Sequence, residues 1–191
     1  TPTLQACSSG GRIIEHGLDN GDGGGTAQNG VLEGGEVDHT TTYCSNFVVK
    51  RIADIYPGGA SGYANDITVM GSRLYFQATD GSNGYELWAH ETSNGSTWQV
   101  ADINPSGWGG YANDITVMGS RLYFEAFNSS GYELWAHETS NGSTWQVADI
   151  NPSGWGGYAN DITVMGSRLY FEAINSSGFE LWAHETSNGS T

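Results

Sequence analysis

Basic residues are nearly absent from this chain. Its 191 residues include six Lys plus Arg, with Lys50 the single lysine, against 21 Asp plus Glu, for a formal charge of −15. So acidic a chain repels phosphate and lacks the basic footprint of nucleic-acid binding, which excludes nucleic acid as a partner. No apolar run approaches the ~20 residues that a membrane span needs, so no span is expected. Thr1-Pro2-Thr3-Leu4 does not form a signal peptide, which fits a mature secreted chain or a cytosolic one. There is no Gly-x-Ser-x-Gly, no phosphate loop and no cysteine nucleophile. Proline is limited to four residues and cysteine to two. Glycine is abundant instead, 29 residues and about twice the usual share. Aromatics reach 12%, and disordered segments are poor in Trp and Tyr, so the chain is expected to fold.

Self-similarity sets the architecture. Tyr63-Ala64-Asn65-Asp66-Ile67-Thr68-Val69-Met70 recurs at Tyr111 and at Tyr158, spacings of 48 and 47. Residues 98–144 return as 145–191 with two changes, Ile174 standing for Phe127 and Phe179 for Tyr132. A diverged copy covers 48–97, behind a head of residues 1–47. Within one repeat, 98–103 reads as a strand ending at the turn Asn104-Pro105-Ser106-Gly107. Residues 114–118 alternate and stop at Gly119-Ser120, a two-residue hairpin turn of the kind that begins with Gly. Residues 121–126 return, Asn128-Ser129-Ser130-Gly131 turns, and 132–137 make a fourth strand. No 3.6-residue period appears. The chain is therefore all-β, with three tandem four-stranded repeats the size of β-propeller blades. A β-trefoil, which also has three four-stranded repeats, is the alternative.

Glu86-Leu87-Trp88, Glu133-Leu134-Trp135 and Glu180-Leu181-Trp182 each follow an aromatic and a Gly-bearing turn. They resemble the bacterial extracellular repeats named for Glu-Leu-Trp-x-x-Asp-Gly-Thr. Ser93-Asn94-Gly95-Ser96-Thr97-Trp98 also resembles the Asp-box turn of some propeller blades, except that no Asp occupies the turn. The resemblance covers residues 50–191 and implies a propeller-like fold and an extracellular, bacterial setting, with little about activity. The repeated region opens with what would be the last strand of a blade, 48–55, and ends after a third strand, 179–185. Three blades are too few to close a ring. The missing strand could come from another copy, giving a six-bladed ring or, where the contact does not close, a filament. A longer repeat array is the competing explanation.

In the head, Cys7 and Cys44 are expected to form a disulfide, which places the chain in an oxidising compartment. A loop of that length contributes on the order of 3–4 kcal/mol. Between them, Asn29-Gly30-Val31-Leu32-Glu33-x-x-Glu36 matches an EF-hand loop from its fifth position to its twelfth. Asn29 supplies a side-chain oxygen, Gly30 the sharp turn, Val31 a carbonyl and Glu36 a bidentate carboxylate. Positions one and three fall on Gly25 and Ala27, while the carboxylates stand earlier, at Asp19 and Asp22. The segment looks like the calcium loops, written Asn-Gly-x-Leu-x-x-x-Glu, that precede extracellular bacterial repeats. The expected cofactor is calcium, held by Asp19, Asp22, Asn29, Val31, Glu33 and Glu36. A solvated acidic turn is the bland alternative, and zinc through His16 and His39 suits the oxygen-rich stretch less well.

Each repeat presents a His-Glu pair, at His90, His137 and His184. Adjacent strand residues face opposite ways, so the pairs are not expected to form dyads, and each His reads as half-exposed at a strand end. Asp102, Asp114, Glu125, Glu133 and Glu138 recur in the near-identical copy, unlike the unique constellation of an active site. No catalytic residues are assigned. Trp108 and Trp155 lie in Ser-Gly-Trp-Gly-Gly loops, where they either stack on sugars or wedge between repeats. Asn94, Asn128, Asn141, Asn175 and Asn188 begin Asn-x-Ser sequons. The leading expectation is a secreted, non-catalytic surface or matrix protein that assembles with itself by strand complementation. A multivalent lectin, with glycans as partners, is the second.

Overall fold

A computed structural model describes residues 11–44, 50–105, 108–152 and 154–186. The chain divides into two compact units, Thr1–Arg51 and Ile52–Thr191. In the first unit, β1 (Gly11–Gly17) pairs antiparallel with β2 (Val37–Cys44), setting Gly11 opposite Cys44 and His16 opposite His39. The acidic loop 18–36 closes this hairpin. Asp22–Gly24 is a single 3₁₀ turn, the one helical piece among the described residues. Both strands are largely exposed or half-buried, so the hairpin has almost no core of its own. Cys7 lies outside the described residues.

The second unit is three antiparallel sheets in chain order. Sheet one holds β3 (Asn65–Met70), β4 (Arg73–Ala78), β5 (Glu86–Glu91) and β6 (Thr97–Ala101). Sheet two holds β7 (Asn113–Met118), β8 (Arg121–Asn128), β9 (Gly131–Glu138) and β10 (Ser143–Ala148). Sheet three holds β11 (Asn160–Met165), β12 (Arg168–Asn175) and β13 (Gly178–Glu185). The turns follow the sequence. Gly119, at φ 63°, opens the two-residue turn between Met118 and Arg121, and the Asn128 side chain accepts the Ser130 amide at 2.8 Å.

The outer strands of sheets one and two, β6 and β10, come from the start of the following sequence repeat, so sheets and repeats are out of phase. Sheets one and two therefore have four strands, and sheet three has three among the described residues, β13 being the third strand after which the repeated region was expected to end. A strand was expected over 48–55, but residues 50–55, the part of it that is described, run outside any strand. They join none of the sheets, and an extended segment outside a ladder gains no pairing energy. The trefoil alternative also fails, because the strands of the repeat region form three separate sheets.

The sheets pack face to face through one repeated set of side chains. Tyr75, Leu87 and Ala89 of sheet one meet Leu122, Phe124, Ala126 and Trp135 of sheet two. Tyr123, Leu134 and Ala136 of sheet two meet Leu169, Phe171 and Ala173 of sheet three. Leu87 and Leu134 are fully buried, whereas the equivalent Leu181 is 79% exposed. Deleting buried methyl groups costs their transfer energy plus a cavity. Leu134→Ala should therefore lower stability in urea by roughly 2–5 kcal/mol, while Leu181→Ala should stay within about 0.5 kcal/mol. Equal losses at both positions would contradict this packing.

Candidate functional site

The molecule's most elaborate chemistry lies at the junctions between sheets. Glu86 begins β5, Glu133 is the third residue of β9, and both are fully buried. Glu86 accepts the amides of Ile103 and Gly110, each at 2.8 Å. Glu133 likewise accepts Ile150 at 2.8 Å and Gly157 at 3.0 Å. One carboxylate thus clamps two backbone donors of the next repeat. Burial, against those donors, pushes the pKa of Glu86 up to about 7, and burial raises Glu133 as well. The equivalent Glu180 is exposed.

Three further links repeat along the same junctions. The Thr68 hydroxyl donates to the Ile115 carbonyl at 2.7 Å and Thr116 to Ile162 at 2.9 Å. The Tyr111 amide donates to the Tyr85 carbonyl at 2.8 Å and Tyr158 to Tyr132 at 2.9 Å, and the rings of each pair stack 5.4 and 5.2 Å apart. Asp66, Asp114 and Asp161 line one open groove. All three have φ 52°, a left-handed backbone uncommon outside glycine. The Asp161 amide reaches Asp114 Oδ2 at 3.2 Å, and the Asp114 amide bonds Asp66 in the same way. Desolvation, then the neighbouring Asp114 charge, raises the Asp66 pKa. None of these links was expected from the sequence. The Asn-Asp pair in every copy of the Tyr-Ala-Asn-Asp segment was the available signal.

The histidines correct the expectation of half-exposed strand ends. His90, His137 and His184 are 6%, 4% and 4% exposed. His137 lies against Tyr75 and His184 against Tyr123, each a tyrosine of the preceding sheet, so packing buries them. His90 Nδ1 and His137 Nδ1 are 2.8 Å from the hydroxyls of Thr97 and Thr144. The adjoining glutamates turn the other way. Glu91 and Glu138 pair with Arg73 and Arg121 at 3.1 and 3.0 Å, so His and Glu share no site.

In the head, several expected ligands gather, but mainly around backbone amides. Asp19 Oδ2 accepts Gly30 at 2.7 Å, and Asp19 Oδ1 is a buried oxygen with no hydrogen-bond partner. Glu36 is fully buried and accepts Gly21 through Oε1 and Glu33 through Oε2. Glu33 accepts Asn29 at 2.7 Å and Thr26 at 3.2 Å, and the Asn29 bond chiefly lowers its pKa. Glu33 and Glu36 converge on Gly25, where an added Cβ would lie 2.8 Å from Glu33 Oε2. Gly30 takes the left-handed turn, φ 82°. Asp22 bonds Asn20 instead, and Val31 donates its amide to Asn29 Oδ1. Among the described residues, no group of three or more His, Cys, Asp or Glu stands close enough to hold a metal ion. The orphan Asp19 oxygen and the buried Glu36 nonetheless suit a calcium ion that recruits carbonyls alongside carboxylates.

Trp108 and Trp155 are 77% and 85% exposed, so they do not wedge between repeats. Their loops are held instead through glycine. A Cβ on Gly156, at φ 112°, would fall 2.2 Å from the Tyr132 nitrogen. The two rings border one cleft together with Asn104, Phe127, Asn128 and residues 129–131. Among the sequons, Asn94 and Asn141 are exposed, Asn128 and Asn175 are half-buried, and Asn188 lies outside the described residues. Asn94 and Asn141 accept the amides of Ser96 and Ser143 at 2.9 Å, completing their turns without an aspartate.

No protein-family model and no curated protein matches the chain. Among solved structures it is similar to a prolyl endopeptidase, at TM-score 0.52 and 12% identity, over 83% of this chain and 21% of that one. It is also similar to TolB from Acinetobacter baumannii, at TM-score 0.48 and 12% identity, over 62% of this chain and 28% of that one. The chain thus spans less than a third of either neighbour. The fold class is all-β and propeller-like.

The buried acids make stability pH-dependent. Burial raises the Glu125 pKa from 4.5 to about 7. Between those values only the folded chain holds the proton, so stability present below 4.5 is lost as pH rises towards 7. Burial lowers the His137 pKa, which acts oppositely, removing stability as pH falls below 6.5. Repeat one has Gln77 at the position of Glu125, bonding Asn113 at 2.5 Å. Glu125→Gln should therefore fold, and its thermal midpoint should fall less than the parent's from about pH 5 to about pH 8. Identical profiles would show that Glu125 is not held protonated.

Proposed function

We propose that the chain is a non-catalytic, secreted surface or matrix protein that assembles with itself, through propeller-like repeats behind a calcium-stabilised head. The observation that carries this reading is the exposed third sheet, whose Leu181 and Glu180 match side chains fully buried at both internal junctions. Three blade-like units that share one set of junction residues suit addition of further units rather than a unique active centre. The His-Glu pairs are spent on packing and on arginine, and the hydroxyls beside His90 and His137 belong to the same buried contacts. The peptidases among the structural neighbours overlap only part of their length at low identity, and lend no activity to this chain.

The head needs a staple, because its hairpin buries little. A Cys7–Cys44 disulfide and a calcium ion near Asp19, Asn29, Glu33 and Glu36 supply two. Electron microscopy of the purified protein, in millimolar calcium and then in chelator, tests the reading. Extended assemblies that loosen in chelator are expected; a monodisperse monomer in both conditions would end it.

The cleft between Trp108 and Trp155, about 340 Å³, supports a second reading as a carbohydrate-binding protein. Exposed indoles beside Asn128 and Ser129 suit a sugar's apolar face and hydroxyls. Replacing both tryptophans with Ala should abolish glycan-array binding and leave the melting curve unchanged. A parent chain that binds no glycan would remove this reading.

A further inference from the structure

We infer that the outer face of sheet three docks head to tail on residues 52–67 of a second copy of this chain, remaking the junction found between the sheets. The inference rests on the self-assembly reading and names its contact. Shifting each junction by one repeat gives both halves of a further one. On sheet three the acceptors are the Glu180 carboxylate, the Phe179 carbonyl and the Asp161 carboxylate, with Thr163 as hydroxyl donor. On residues 52–67 the complements are the amides of Ile55 and Gly62, of Tyr63 and of Asp66, with the Ile67 carbonyl as acceptor. These are the positions of Ile103, Gly110, Tyr111, Asp114 and Ile115 moved back by 48. Each half of the internal junction is thus present once more, one half at each end of the repeat region.

Burial marks the two halves as unfilled. Ile115 and Ile162 are 6% and 8% exposed, but Ile67 is 58% exposed. Tyr63 and Ile52 are similarly open at 57% and 59%. The receiving loop is already shaped for the contact. The Thr79 amide donates to the Gly62 carbonyl at 3.0 Å, as Phe127 does to Gly110 at 2.6 Å and Ile174 to Gly157 at 2.7 Å. A Cβ on Gly62 would press on Ile55, just as one on Gly110 would on Ile103 and one on Gly157 on Ile150. Docking therefore orders little that is not ordered beforehand, which favours association. The contact also uses apolar side chains and amide dipoles rather than cations, so a chain of charge −15 can form it, and more readily as salt screens its self-repulsion.

Two variants with blocked ends test the inference: Leu181→Asp on the donor face and Ile67→Asp on the receiving segment. Both positions are exposed, so both variants should keep the parent's melting curve. In sedimentation velocity with calcium, the parent should assemble, each variant alone should remain a monomer, and an equimolar mixture should stop at a one-to-one dimer. If the parent assembles and either variant assembles as far, the docking face is elsewhere and the inference falls while the self-assembly reading stands. If the parent stays monomeric at every salt concentration, the reading falls and takes a second copy as occupant with it.

Discussion

The buried carboxylate at the start of each Glu-Leu-Trp segment is the interaction on which the repeat region depends. An acid enclosed among apolar side chains is costly unless its oxygens are satisfied. Glu86 and Glu133 meet that demand with two backbone amides each, drawn from residues 17 and 24 positions later. Those amides open and close the loop that leads into the next sheet. A sheet therefore satisfies its glutamate only when another repeat follows. Leu87 and Leu134, next in sequence, seal the same contact with apolar surface.

From that constraint the remaining junction chemistry follows as a register. Once the loop is clamped, Tyr111 and Tyr158 come under the tyrosines of the preceding sheet, and the threonine of each inner strand reaches the isoleucine carbonyl of the next. The left-handed aspartates are the strained members of the set. The carboxylates of Asp66 and Asp114 each take an amide from the following repeat, which offsets a backbone conformation that non-glycine residues seldom adopt. A junction so fully specified is directional, and its two faces differ. Such heterologous contacts extend or close into rings according to the rotation they impose.

Much of this was legible in the residues. The strands of the repeats, the two-residue turn at Gly119-Ser120 and the all-β class follow from alternation and turn chemistry. The offset of strand and repeat was legible as well, because the repeated region opens on what would be the last strand of a blade, 48–55, and ends after a third strand, 179–185. The clamp was not. Glutamate in a strand reads as a solvent-facing residue, and nothing local announces that two amides far along the chain will enclose it. His137 misled in the same way, since its cover is Tyr75 of another sheet. Residues 50–55, the described part of the strand expected over 48–55, carry the residues of an outer strand but join no sheet, so composition alone predicted an element that the fold does not form. In the head, the turn at Gly30 and the approach of Asp19 to it were readable from the loop pattern. The hairpin of β1 and β2 was not, because Gly11–Gly17 shows no clear alternation.

The claim at the centre of this account is that repeat docking is clamp-driven and that the same clamp is waiting to be filled at the ends. Amide hydrogen exchange reports it residue by residue. The amides of Ile103, Gly110, Ile150 and Gly157 should be strongly protected in all conditions, and those of Ile55 and Gly62 should exchange freely in dilute protein and become protected on assembly. Fast exchange at the four internal amides, or no change at Ile55 and Gly62 when the protein assembles, would contradict it.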